Sequence, residues 1–235
     1  MCGEWPGRGG ETRMPVTSST VLGTLALAVI AVTVLWRWFG PVIVLSAMGV
    51  AWVGQLLTGA RFARGGLWLH SKDHSWFLFA KDQGWWLSRF FVALIVLPTP
   101  SVIGLLLARG VDIGWSSHTV IVVLIILVGL LALGHANWQT LLLITAVCGL
   151  LAVFLVSAGV RAQVGAIIGF SWFFLLGGLR LNIEEAGRKH SQGAPSFPGA
   201  LQRLTDVPGL VWMLGFLLIA VASTITGSRW LLAMT

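Results

Sequence analysis

Charged side chains are scarce in this chain. Asp, Glu, Lys and Arg make up 10% of its 235 residues, whereas a typical soluble domain has about 25%. Hydrophobic residues make up 57% and form long runs without charge, the pattern of a chain whose solvent is the lipid bilayer. The net charge of +7 is then best explained by basic loops and anionic lipid headgroups. No pattern typical of a nucleic-acid-binding module is present.

Cysteine and tyrosine are also rare or absent. The two cysteines, Cys2 and Cys148, indicate no disulfide framework. The chain has no tyrosine but 13 tryptophans, so tryptophan alone must form the aromatic belts at the membrane interfaces. The tryptophans near the ends of apolar segments are Trp36, Trp38, Trp85, Trp86, Trp115, Trp138 and Trp230.

Ionisable residues are missing from the interiors of the apolar segments. All eight acidic residues fall in the N-terminal tail or in predicted loops. A proton-coupled pump or an ion pathway needs a buried carboxylate or histidine within the membrane. The sequence therefore disfavours both of these function classes.

Seven apolar segments follow one another along the chain. They cover residues 20–39, 41–57, 90–108, 119–134, 140–160, 164–179 and 210–227. They predict an all-α polytopic membrane protein with about six or seven transmembrane helices, because spanning takes about 17 residues or more. Residues 1–19 form an N-terminal tail and 20–235 a single transmembrane domain. Pro98 and Pro100 should kink or break the third segment.

The distribution of Lys and Arg predicts the orientation. If seven segments alternate, eleven basic residues lie on the side of the N-terminal tail and four on the other side. The excess marks the cytoplasm. This predicts a multi-pass protein of the plasma (inner) membrane, with its N-terminus in the cytoplasm and its C-terminus outside.

Two of the predicted cytoplasmic loops are long. Residues 66–83 contain two apolar, aromatic stretches around a polar Lys72-Asp73 tip, which predicts a short β-hairpin at the membrane face between the second and third segments. Trp68, Leu69, Trp76 and Phe77 are its candidate contacts with the membrane or a partner. Residues 181–209 continue the sixth helix, pass through a Gly/Pro/Ser stretch and lead into the last helix.

His70, Asp73 and His74 in this hairpin spell H-x-x-D-H and are the candidate metal ligands. In a single strand His70 and His74 would lie about 13 Å apart, too far to share a metal ion. In a hairpin they could instead face each other across the strands. Even then an exposed loop would supply two or three ligands without an apolar shell. A polar hairpin turn is the better interpretation, and no cofactor is expected.

Gly165 and Gly169 form a G-x-x-x-G pair in the sixth segment. Such pairs let two helices approach closely. We expect this pair to pack against another helix of the same chain rather than to form a dimer.

Three stretches resemble a small actinobacterial family of membrane proteins related to the site-2 proteases, which are intramembrane zinc metallopeptidases. They are QLLTG at 55–59 with LHS at 69–71, LPTPSVIGLL at 97–106, and LLGGLR at 175–180 with LQRLTDVPGLVWMLGFLL at 201–218 and GSRWLL at 227–232. The resemblance covers most of residues 20–233.

In that family the helix before the LLTG-like stretch carries H-E-x-x-H, whose histidines bind zinc and whose glutamate polarises the attacking water. The corresponding residues here are AMGVA, with Ala47 and Ala51 in place of the ligands and Met48 in place of the base. A shifted alignment would not restore the site, because residues 20–69 contain no His, Glu or Asp.

The sequence therefore predicts a non-catalytic accessory or regulatory subunit of a larger envelope complex. Other integral membrane subunits and anionic lipids are the expected partners. A lipid- or fatty-acid-importing machine of the mammalian-cell-entry type is the most concrete candidate, suggested by the actinobacterial resemblance. The alternatives are an intramembrane zinc metallopeptidase with displaced ligands and a transporter that acts alone.

Overall fold

The computed structural model describes residues 17–37, 39–40, 42–43, 46–47, 68–72, 75–79, 86–113, 149–150, 152–154, 157–187 and 197–233. We number six helices and two strands within these ranges. The helices are α1 (Ser18–Thr33), α2 (Trp86–Val96), α3 (Thr99–Asp112), α4 (Val160–Gly187), α5 (Phe197–Thr205) and α6 (Gly209–Leu232). The strands are β1 (Trp68–Lys72) and β2 (Ser75–Phe79).

Helix α4 is at the centre of the described structure and packs against α1, α3 and α6. Ile168 and Leu175 of α4 are fully buried. Glycine allows the closest approaches. A Cβ at Gly104 of α3 would lie 2.7 Å from the Leu175 nitrogen, and one at Gly227 of α6 would lie 2.7 Å from a Leu175 methyl carbon. The core therefore depends on close helix–helix packing, as in helical membrane proteins.

Helices α1 and α4 run in the same direction. The pairs in contact, in chain order, are Thr20 with Gly165, Thr24 with Gly169, and Val32 with Arg180. Because both residue numbers rise together, the two helices are parallel. Gly165 and Gly169 thus lie against α1 of the same chain, at ordinary van der Waals distances of 3.5 and 3.7 Å for an added Cβ.

Helices α3 and α6 run opposite to α4. Along α3 and α4 the contacting pairs are Leu97 with Asn182, Ser101 with Gly178, and Gly104 with Leu175. At its end α6 places Trp230 against Arg109 of α3, and at its start Trp212 contacts Phe90 of α2. Two ends can therefore be defined. The Arg180 end holds the ends of α1 and α4, helices α2 and α5, and the start of α6; the Arg109 end holds the starts of α1 and α4 and the ends of α3 and α6.

The parallel α1 and α4 contradict the predicted alternation of seven segments. That alternation makes the first and sixth segments antiparallel, whereas the structure packs them side by side in the same direction. The charge count could not detect this, because it assigns sides by assuming that every apolar segment crosses the membrane once.

The third apolar segment is broken at its prolines, as the sequence predicts. Helix α2 ends at Val96 and α3 begins at Thr99. Neither Pro98 nor Pro100 has an N–H to continue the helical hydrogen bonding. The Asn182 amide of α4 donates to the Leu97 carbonyl at this break, at 3.2 Å. The two halves are thus held in place by a side chain from the central helix.

Strands β1 and β2 pair antiparallel within the stretch where the sequence predicts a hairpin. The register pairs Trp68 with Phe79, Leu69 with Leu78, His70 with Phe77, Ser71 with Trp76, and Lys72 with Ser75. The predicted contact of this segment with a membrane or partner stays a prediction.

Helices α4 and α6, of 28 and 24 residues, are the two described helices long and apolar enough to cross a membrane. Helix α1 is apolar but has only 16 residues. Residues 114–148, which include most of two predicted segments, lie outside the described ranges. The total of six or seven spanning helices therefore stays a prediction.

Candidate functional site

Ala47 stands where the family resemblance leads us to expect the first zinc-binding histidine. Ala47 is fully buried, and so is Ile43 one helical turn before it. The Ile43 side chain packs on α4 so closely that a Cβ at Gly177 would lie 1.8 Å from its Cδ1 atom. Ile43 thus packs on α4, and Ala47 is enclosed without exposed surface of its own. Met48 and Ala51 lie outside the described residues.

The LPTPS stretch at the start of α3 meets the Gly177-Gly178 pair of α4. A Cβ at Gly178 would lie 2.7 Å from the Ser101 backbone nitrogen and 2.3 Å from its Oγ. The Asn182 amide nitrogen, one turn further along α4, donates to the carbonyls of Gly178 and Leu97 at 2.8 and 3.2 Å. The proline stretch and the LLGGLR stretch, both of which carry the family resemblance, therefore form one contact surface.

A charged cluster joins α1 to α4 at the Arg180 end. The Arg180 Nε donates to Glu184 Oε1 at 2.9 Å, and its Nη1 donates to the carbonyls of Val32 and Thr33. The guanidinium lies over the Trp36 ring, 4.8 Å from its centroid, a cation–π geometry. The Trp36 Nε1 donates to Glu184 Oε2 at 3.2 Å. Arg180 thus satisfies carbonyls at the end of α1 that have no partner within that helix.

This cluster supplies a contact between helices and no free catalytic group. Both carboxylate oxygens of Glu184 accept hydrogen bonds, one from Arg180 and one from Trp36. Arg180 and Glu184 lie just beyond the predicted segment 164–179, at the predicted polar continuation of the sixth helix. The Arg180 and Glu184 side chains are 31% and 23% exposed, and the neighbouring Glu185 is buried.

Sequence reasoning missed this cluster, although part of its signal was visible. Arg180 and Glu184 are four residues apart, the spacing of ion pairs on one helix face. The partner Trp36 could not be inferred, because it is 148 residues from Glu184 along the chain. From the sequence alone, Trp36 is predicted only to belong to an aromatic belt.

The register of the two strands places His70 opposite Phe77. The proposed cross-strand pairing of His70 with His74 stays a prediction. Asp73 and His74 themselves lie outside the described residues. Within the described ranges, no group of three or more His, Cys, Asp or Glu residues could hold a metal ion. The candidates Trp68, Leu69, Trp76 and Phe77 all fall in the strands.

The apolar helices, the proline-broken helix and the glycine contacts define a protein of closely packed apolar helices. The model of one family, described as Peptidase M50B-like, matches residues 20–227. The chain belongs to this family. The family and the long apolar helices both indicate a membrane location. No curated protein and no solved structure matches the chain.

The residues present do not fit the zinc ion that the metallopeptidase relationship implies. The small apolar side chain of Ala47 is closed in by neighbours, and a methyl group cannot coordinate a metal. We therefore derive no reaction step through zinc.

Proposed function

We propose that this protein is a multi-pass protein of the plasma membrane that keeps the site-2-protease-like scaffold without its peptidase chemistry. It acts as an accessory or regulatory subunit of a larger envelope complex. The observation that carries the proposal is that residues 20–69 contain no His, Glu or Asp. AMGVA stands at 47–51, where the resemblance leads us to expect H-E-x-x-H.

The packing around Ala47 supports the same proposal. An enzyme that had only exchanged its ligands would keep room for a metal, a water molecule and a substrate. Here Ile43 and Ala47 are fully buried, and Ile43 fills the notch left by Gly177. Dense packing at this position favours a structural role for the scaffold.

The expected partners are other integral membrane subunits and anionic lipids. Residues 58–89 and 180–209 carry nine of the fifteen basic residues, suited to acidic loops or headgroups. The aromatic strands Trp68–Lys72 and Ser75–Phe79 provide a second contact surface. A lipid-importing machine is one complex in which such a subunit would serve, but no residue specifies it.

An intramembrane metallopeptidase with displaced ligands is the alternative, and family membership supports it. His70 and His74 are then the histidines to test. The full-length protein, purified in mild detergent, should be analysed for metal by elemental mass spectrometry beside a His70→Ala/His74→Ala variant. We expect substoichiometric zinc in both proteins. One zinc per chain in the native protein, lost in the variant, would overturn the non-catalytic proposal.

Partners are tested by isolating the tagged protein gently from its native membrane and identifying co-purifying proteins by mass spectrometry. Stoichiometric membrane or envelope subunits are expected. A protein recovered alone at native expression level would contradict the accessory role and favour a stand-alone transporter.

A further inference from the structure

The helix directions determine on which side of a membrane each connection lies. This inference rests on the membrane location proposed above. Helix α4 is 28 residues long, or about 42 Å at about 1.5 Å per residue, enough to cross a hydrocarbon layer of about 30 Å. Helix α6, at 24 residues, is about 36 Å long by the same rise. Its Leu210, Leu214 and Leu218 side chains are more than half exposed.

Helix α1 lies beside the apolar part of α4 from near its own first residue to near its last. Thr20 lies beside Gly165 near the start of both helices, and the Val32 carbonyl accepts a hydrogen bond from Arg180 near the end of both. Helix α1 has 16 residues, about 24 Å by the same rise, so its flanking residues would complete a crossing in the direction of α4. The start of α1 must lie on the same side as the start of α4.

The remaining helices place the end of α6 on that side as well. Helix α6 runs from Trp212, which contacts Phe90 at the Arg180 end, to Trp230, which lies 5.1 Å from the Arg109 guanidinium at the Arg109 end. The start of α1 and the end of α6 thus share the Arg109 end. The connection from α4 to α5 is at the opposite end.

We infer that the chain crosses the membrane an even number of times, with the N-terminal tail and the residues after α6 on one side and residues 188–196 on the other.

The charge distribution assigns the two sides. The connections at the Arg180 end, residues 34–89 and 180–209, carry ten of the fifteen basic residues, whereas the Arg109 end has five, Arg8, Arg13, Arg109, Arg161 and Arg229. Because basic loops remain in the cytoplasm, the Arg180 end is cytoplasmic. The C-terminus is therefore outside, as the sequence predicts, and the N-terminal tail is also outside, whereas the sequence predicts it in the cytoplasm.

Cysteine accessibility tests this arrangement in the full-length chain. In a Cys2→Ser/Cys148→Ala background, single cysteines are introduced as Thr17→Cys before α1, Ser191→Cys between α4 and α5, and Met234→Cys after α6. Intact cells are treated with a membrane-impermeant maleimide, and a second sample is treated after permeabilisation. We expect Thr17→Cys and Met234→Cys to label in intact cells and Ser191→Cys to label only after permeabilisation.

Two other outcomes would overturn the inference, and they differ from each other. If Thr17→Cys behaved like Ser191→Cys and opposite to Met234→Cys, the alternating seven-segment arrangement would be right and the membrane proposal would stand. If the chain were recovered in the soluble fraction, the membrane proposal itself would fail. Should the cysteine-free background not accumulate, terminal fusions of the native chain to alkaline phosphatase and to green fluorescent protein give the same comparison. Phosphatase activity at both ends supports the inference, and fluorescence at the N-terminus contradicts it.

Discussion

At the scale of single residues, Arg180 joins α4 to α1. It pairs with Glu184, stacks on Trp36 and donates to carbonyls at the end of α1. Replacing it by Ala removes these donors while Glu184 remains half-enclosed. Arg180→Ala should lower the free energy of unfolding by about 1.5–3 kcal/mol, the range for hydrogen bonds that involve a charged group.

The measurement is thermal unfolding in detergent followed by tryptophan fluorescence, because Trp36 reports on the same contact. Arg180→Lys should recover only part of the loss, since an ammonium lacks the planar fork that bonds and stacks together. Arg203→Ala is the matched control, because Arg203 is exposed and donates to Gly199 of its own helix. Equal losses for Arg180→Ala and Arg203→Ala would mean that the cluster contributes nothing specific.

Gly178 offers a second test at this scale. An added Cβ would meet the Ser101 backbone at 2.7 Å, and backbone cannot move away as a flexible side chain can. Gly178→Ala should therefore destabilise the protein by about 1–3 kcal/mol, as overpacking does. Gly215→Ala is the control, since nothing lies within 4 Å of its added Cβ, and it should be neutral or slightly stabilising. A tolerated Gly178→Ala, measured by the same unfolding assay, would show that α3 can shift away from α4.

At the scale of elements, the turn between α5 and α6 depends on one unusual backbone conformation. Asp206 has a φ of 58°, and its N–H donates to the Gln202 carbonyl at 2.9 Å. An α-helix commonly ends in this way, with one residue in the left-handed conformation after its last turn. Pro208 follows two residues later. The Thr205 Oγ1 accepts from the Trp212 indole at 3.2 Å and the Gln202 side chain from the Gly209 N–H at 3.0 Å. These bonds fix the direction in which α6 leaves.

The effect of an Asp206 substitution on stability should depend on how readily the new residue adopts a positive φ. Asp206→Gly should be neutral or stabilising, because glycine adopts a positive φ without steric cost. Asp206→Val should cost about 1–2 kcal/mol, because a β-branched residue is strained there. Unfolding temperatures of both variants are compared with the native protein. If Asp206→Gly lost as much stability as Asp206→Val, the carboxylate rather than the backbone would be responsible.

The strands β1 and β2 are the second element with a testable role. Replacing Trp68 and Trp76 by Ser removes two large apolar side chains, and exposed apolar patches of this kind mark interaction sites. We expect the double variant to co-purify fewer partners or to accumulate to a lower level. Ser71→Ala in β1 is the control, because it changes the same hairpin without removing an apolar side chain. Unchanged level and undiminished co-purification would count against a contact role.

At the scale of the whole molecule, a single substitution at the expected motif position should not create a zinc site. Ala47→His restores one ligand, but Ala47 is fully buried and the larger side chain overpacks its surroundings by about 1–3 kcal/mol. Losses of about 1–2 kcal/mol can change cellular abundance several-fold. Ala47→His should therefore lower the steady-state level and bring neither zinc nor peptidase activity. Ala47→Leu, which overpacks without offering a ligand, should behave alike. Zinc bound by the His variant alone would show that a metal cavity persists.

The sequence by itself determined the features that depend on composition and on covalent properties of single residues. The scarcity of charge, the missing zinc ligands and the break at Pro98 and Pro100 are all of this kind. Proline lacks an N–H wherever it stands, and alanine cannot bind zinc in any fold. The expected membrane scaffold and family relationship were therefore recoverable, since they depend on apolar runs and local motifs.

Only the tertiary structure decided how distant segments meet. The parallel packing of α1 on α4, the contact of Trp36 with Arg180 and the pairing of His70 with Phe77 all join residues whose relation no local pattern encodes. An apolar helix is equally stable in either direction across a bilayer, because its hydrogen bonds are internal and its surface is apolar all round. Its direction relative to a neighbouring helix is set by which small residues meet, as Thr20 and Thr24 meet Gly165 and Gly169, and the basic loops then set which end lies in the cytoplasm.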